Sequence, residues 1–151
     1  MTQKFKLEMG EYLVTIEMPE IFRKKIFKIY EFYREMCPEK IKSIFVTDYL
    51  NKDGTRLFEN LWFFSETYCM EAKHFTTKED FDITPIKNRI GYWQIIKEEY
   101  DFKKATEKSK LNLHCRLDTS LVIGLYFKAS KKNCDYLKEI ILKHINPILE
   151  K

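Results

Sequence analysis

The chain has 151 residues, 44% of them apolar, which is enough for one hydrophobic core and short for two, so a single domain spanning 1–151 is expected. Its 27 basic and 23 acidic residues leave a formal charge of +4, too dilute for a nucleic-acid footprint, and no apolar run approaches the roughly 20 residues that cross a bilayer. The four cysteines, at 37, 69, 115 and 134, form no Cys-x-x-Cys pair, and the N-terminal Met1-Thr2-Gln3-Lys4-Phe5-Lys6 has no secretory apolar core. Reduced thiols in a cytoplasmic protein are the expectation.

In chain order, the first patterned segment is 11–18, where Tyr12, Val14, Ile16 and Met18 alternate as in a half-buried strand that Pro19 closes. From 20 to about 37, Phe22, Ile26, Ile29, Tyr30, Tyr33 and Cys37 recur at three- and four-residue steps, with Arg23, Lys24, Lys28, Glu31 and Arg34 opposite. This is an amphipathic helix. After Pro38 the period changes. Asn51-Lys52-Asp53-Gly54 predicts a hairpin between strands 42–50 and 55–64. A strand at 67–75, a polar stretch at 76–88 containing Pro85, and strands at 90–102 and 110–117 follow. Residues 118–130 read two ways. Leu121 to Phe127 have strand composition, but Asp118-Thr119-Ser120 is a helix N-cap cluster that would open one long C-terminal helix.

This order resembles the START and birch-pollen-allergen-like helix-grip superfamily, which includes polyketide cyclases. The resemblance rests on Val14 to Phe22 as first strand, proline and helix, on Gly91-Tyr92-Trp93, and on Asp118 to Ile141 as last strand and long helix. It implies an α+β helix-grip fold: a curved antiparallel sheet of about seven strands wrapped around a long C-terminal helix, with an N-terminal helix between the first and second strands. It also implies noncovalent binding of a hydrophobic small molecule or lipid between sheet and helix. The expected cavity lining is Trp62, Phe64, Tyr68, Met70, Trp93, Ile95, Leu113, Cys115, Leu121 and Leu125, although any one of these is equally at home as ordinary core.

Chemistry-bearing motifs are sparse. There is no Gly-x-Ser-x-Gly, His-Glu-x-x-His, phosphate loop or dinucleotide fingerprint, and His74, His114 and His144 stand far apart, so no cofactor or metal is expected. A cyclase-like enzyme would draw on Tyr68, His74 or His114 as acid or base within the cavity. Lys103, Lys104, Lys108 and Lys110, with Lys131 and Lys132, could touch an anionic membrane transiently, although Glu107 interrupts the run and a solvated loop is the plainer reading. An alternative resemblance joins strands 42–50, 55–64, 67–75, 79–85, 90–102, 110–117 and 120–128 to a helix from 131. That order looks like a pleckstrin-homology or GRAM-type module, which binds phosphoinositides, peptides or partner proteins at its rim and has no internal cavity. A third reading is an interaction protein with a merely filled core.

Overall fold

A computed structural model describes residues 2–37, 39–76, 82–87, 90–117 and 124–145, with residues 2, 82–87, 90–93, 116 and 117 described by their backbone alone. Two helices come first, α1 (Thr2–Thr15) and α2 (Glu20–Met36). Seven strands follow: β1 (Ser43–Leu50), β2 (Arg56–Phe64), β3 (Tyr68–Lys73), β4 (Asp82–Lys87), β5 (Ile90–Glu98), β6 (Lys110–Leu117) and β7 (Gly124–Ser130). The described chain ends in α3 (Asn133–Ile140), which runs on as a π-helical turn over Ile141–Ile145.

The expected first strand at 11–18 is instead the end of α1. The alternation of Tyr12, Val14, Ile16 and Met18 competes with a helical stripe of Phe5, Met9, Tyr12, Leu13 and Ile16, all buried, whereas Val14 is 58% exposed. Burial of five side chains against burial of three decides the period. Helix α1 then stops on Glu17 in left-handed conformation (φ 63°). The N–H of Met18 donates to Leu13 O (2.9 Å) and that of Glu17 to Val14 O (3.0 Å), a Schellman ending closed by the buried pair Leu13 and Met18. Helix α2 matches its expected span. It starts behind Pro19 with Glu20 in its first turn and ends where Cys37, preceding a proline, turns extended.

The strands form two antiparallel sheets, one ordered β1-β2-β3-β4 and one ordered β5-β6-β7, with β7 alongside β1 at one corner. The β1–β2 turn is the expected one: Gly54 takes φ 86°, and Asp53 Oδ1 accepts from the N–H of Thr55 at 2.9 Å. The helix-grip expectation is therefore corrected. No seven-stranded sheet wraps a long C-terminal helix, both N-terminal helices precede every strand, and the C-terminal helix is short. Residues 124–130 are strand, because Leu125, Phe127 and Ala129 are buried on one face of β7 while Tyr126 and Lys128 are exposed on the other; the remainder of that ambiguous stretch, 118–123, lies outside the described residues. The polar stretch at 76–88 contributes β4, with Pro85 tolerated on a strand that pairs with β3 alone in the described ladders.

Packing falls into layers. On one face of the four-stranded sheet Phe63 meets Tyr30 and Tyr33 of α2 and Phe75 meets Phe22. On the other, Phe45, Trp62 and Phe64 meet Phe127 of the second sheet. A β-bulge between Val46 and Asp48 re-aims the strand at the β1–β7 corner and turns Asp48 inward. Fully buried, Asp48 accepts from Arg56 Nε (2.8 Å), the Ser130 N–H (3.1 Å), the Ser130 hydroxyl and Asn133 Nδ2 (2.6 Å). Asn133 Oδ1 in turn accepts from the Tyr12 hydroxyl (2.8 Å), whose oxygen accepts from the Val46 N–H (2.8 Å), and Arg56 Nη1 donates to Ile16 O at the end of α1 (2.5 Å). Burial pushes the Tyr12 hydroxyl well above its ordinary pKa, so it stays protonated and able to donate.

Removing one member leaves the others buried and unpaired. Asp48→Ala is expected to cost about 3–5 kcal/mol and Tyr12→Phe about 1–3 kcal/mol, read from urea unfolding midpoints.

Candidate functional site

The described members of the expected cavity lining are packed in the interior. Trp62, Phe64, Met70, Leu113, Cys115 and Leu125 are all buried, and the Trp62, Phe64 and Phe127 rings pack with centroids 4.4 to 6.3 Å apart. The set is also divided. Trp62 and Phe64 look toward the second sheet, as do Leu113, Cys115 and Leu125 from its own inner face, with Ile95 half-buried at the register of Leu113. Met70 pairs with Phe63 on the face turned to α2, and half-buried Tyr68, two residues before it on β3, shares that face. Trp93 holds the register position of Cys115 and is described by its backbone alone; Leu121 lies outside the described residues. A helix-grip sheet would curve around an open space, whereas two facing sheets bring alternate aromatics into direct contact.

Cys69, Cys115 and Cys134 offer no ready thiolate, since burial pushes their thiols up to about 12, while Cys37 is only half-buried. Nor do the acid and base candidates converge: Tyr68 and His74 sit at opposite ends of β3, and His114 stacks on Tyr126 on the outer face of the second sheet. Among the described residues no three His, Cys, Asp or Glu side chains gather as a metal site would require. No described helix is long and apolar enough to cross a membrane. The lysine-bearing loop after β5 is fastened to α3, where Asp135 accepts from the Tyr100 hydroxyl (2.7 Å) and the Ala105 N–H (3.2 Å). Lys110 pairs with Glu98 and Lys131 with Glu107, while Lys103, Lys104 and Lys108 project into solvent.

Two of the concave surfaces among the described residues are of a size to take a partner. The first is the mouth of the sandwich, a cleft of about 430 Å³ between the four-stranded sheet and β7. Its floor is a polar continuation of the Phe45–Trp62 face. Thr47 Oγ1 accepts from the Asn60 N–H (2.9 Å), Asn60 Nδ2 donates to Glu71 Oε2 (3.1 Å), and Asn60 Oδ1 accepts from the His74 N–H (3.3 Å). Glu71, 8% exposed, is the cross-strand neighbour of Trp62, and burial holds its carboxyl above the usual range, partly offset by Lys73 (3.9 Å) and His74. Across the cleft Lys128 reaches Glu59 (3.9 Å) and lies 5.4 Å from the Tyr49 ring. Tyr126 stacks on His114 at 4.4 Å, and Gly124 lies close beneath them, where a Cβ would stand 3.1 Å from His114 Nε2 and the rings would have to shift by a few tenths of an ångström. The second surface is an open groove between α1 and α2.

His74 and His114 are among the expected acid or base candidates, but Thr47, Asn60, Glu71 and Lys128 are not among the expected site residues. The signal that could have found them is a polar residue breaking an apolar strand: Glu71 between Met70 and Ala72, Asn60 before Leu61-Trp62, and Asp48 before Tyr49-Leu50.

Two titrations follow. His144, stacked on Phe64 and bonded to Ser43 Oγ (2.8 Å), is lowered to about 4 by burial and by Lys143 and Lys42. The folded chain prefers the neutral ring, so stability is full above about 6.5 and falls as pH drops toward 4, by up to about 1.4 kcal/mol per unit. His144→Asn is expected to flatten that slope in urea titrations at pH 7 and 4.5. Glu71 has the opposite sense: its raised folded pKa means a contribution lost as pH rises past the ordinary carboxyl value. Glu71→Gln is expected to be as stable as the native chain or more so at pH 7 by thermal melting, and less pH-dependent.

Comparison of the chain with protein-family models, with curated proteins and with solved structures finds no match to any of them.

Proposed function

We propose that this chain is a non-enzymatic recognition module of pleckstrin-homology type that docks a basic segment of a protein partner at the mouth of its sandwich. The element order supports this reading: a four-stranded and a three-stranded antiparallel sheet, then a C-terminal helix, with an aromatic interior that leaves no room for cargo. Recognition then falls to the rim.

The observation that carries the choice of partner is the charge balance of the mouth. Lys73 and Lys128 are each matched by a carboxylate, Glu71 and Glu59, so the described residues of the mouth carry no surplus positive charge to hold a phosphorylated lipid headgroup. Glu71 is instead a largely buried carboxylate with one amide donor and a lysine at 3.9 Å, which leaves acceptor capacity for an incoming ammonium or guanidinium. The exposed Tyr126 ring beside it offers a face over which the same cation can sit.

The test is fluorescence anisotropy with an array of short lysine- and arginine-centred peptides, set beside flotation with vesicles of phosphatidylcholine carrying a bisphosphorylated phosphoinositide. A subset of basic peptides should bind, with affinity reduced about tenfold or more in Glu71→Gln, and the vesicles should not be selected. Selective vesicle binding abolished by Lys73→Ala would replace the peptide reading with the lipid one.

A further inference from the structure

Helix α1 presents a second face that the sandwich does not use. Leu7 (66% exposed) and Val14 (58% exposed) lie seven residues apart on it, with Gln3 and Gly10 between and beyond them. The spacing 3, 7, 10, 14 alternates steps of four and three, which is the seam of a helix packed against another helix. This seam is one wall of the groove of about 1140 Å³ between α1 and α2. Gly10, which has no side chain, lowers the wall in the middle, and a Cβ there would stand at ordinary contact distance, 3.9 Å, from Phe27 of α2.

We propose that this seam is the interface of a homodimer, in which α1 of a second copy lies antiparallel on α1 about a two-fold axis. The sequence of the seam is complementary to itself. With residues whose numbers sum to 17 set opposite each other, Leu7 of each copy faces the other's Gly10, and Val14 faces Gln3, so each large side chain meets a small or slender one. An interface of this kind is isologous: every contact occurs twice.

Charge supports the same register. In an antiparallel pair, one flank of the seam meets the same flank of its partner, displaced by about half a turn. On one flank stands Lys6, already paired with Glu31 of α2, so that side is closed by the chain's own second helix. On the other stand Lys4 and Glu11, exposed and seven residues apart, and neither has an ion-pair partner among the described residues. The antiparallel register sets Lys4 of each copy against Glu11 of the other, giving two salt bridges across the axis. In a parallel arrangement each flank would meet the opposite flank of the partner, and Lys4 and Glu11 would not be set against each other.

The dimer face is separate from the mouth, so the two can fail independently. The test is sedimentation equilibrium of the full chain without an N-terminal tag, at concentrations up to about 100 μM. The native chain should dimerise, and Leu7→Asp should leave it monomeric with unchanged far-ultraviolet dichroism, because the replaced side chain is exposed. Lys4→Glu or Glu11→Lys alone turns both attractive pairs into repulsive ones, and should weaken self-association about tenfold or more. An equimolar mixture of these two variants should recover a dimer, now heteromeric, since each chain then carries the charges that the other lacks. A monomeric native chain overturns the proposal, and so does a dimer indifferent to Leu7→Asp or to either reversal, or one that mixing fails to restore.

Discussion

A single buried carboxylate holds this fold together. Asp48 is fully enclosed, and a charge so placed is stable only if every acceptor position is filled. Its donors come from three separate places: Arg56 at the start of β2, the backbone and hydroxyl of Ser130 at the end of β7, and Asn133 at the start of α3, with Tyr12 of α1 attached through Asn133. The β1–β7 corner, where the two sheets meet without a ladder of their own, is thus closed by side chains. Arg56 also reaches the last carbonyls of α1 and ties the N-terminal helices to the same point. The aromatic layers supply most of the apolar burial, but this polar cluster determines which elements stand next to which.

The cluster also explains the division of the interior. On the side of the Phe45–Trp62 pair nearest α3, the sandwich is aromatic and closed by His144 on Phe64. Beyond the bulge at Asp48 the same sheet face turns polar, with Thr47, Asn60 and Glu71 in sequence across three strands. Among the described residues the interior is packed with aromatic side chains, and the polar face lies at its rim.

Much of this was legible in the amino-acid sequence and some was not. Helix α2, the Asn51–Gly54 hairpin and the strands from 42 to 75 and 110 to 117 follow from periodicity and turn chemistry that act within a few residues. The segment 11–18 does not, because Tyr12 and Ile16 belong to both an alternating and a helical pattern, and only Phe5, Met9 and Leu13 resolve them. The choice between one sheet around a helix and two facing sheets rests on 124–130, whose apolar content fits either a helix or a strand until Phe127 is seen against Trp62. Aromatics on alternating strands look alike whether they line a cavity or fill one. The polar mouth was missed because Asn60 and Glu71 are distant in sequence and acquire meaning only when β2 and β3 pair.

The Asp48 cluster has a consequence for how the chain is made. Its hydrogen bonds join residues 82, 85 and 121 positions apart, among the longest closures in the structure, while the hairpin and α2 are local. During synthesis the helices and the first sheet can take shape early, but the carboxylate of Asp48 has no Ser130 or Asn133 until a further 82 and 85 residues have been added. The N-terminal part therefore waits with a half-satisfied charge at the edge of its sheet. Loop closure of this length is slow, and Asn133, 121 positions after Tyr12, is the residue that locks the first helix in place.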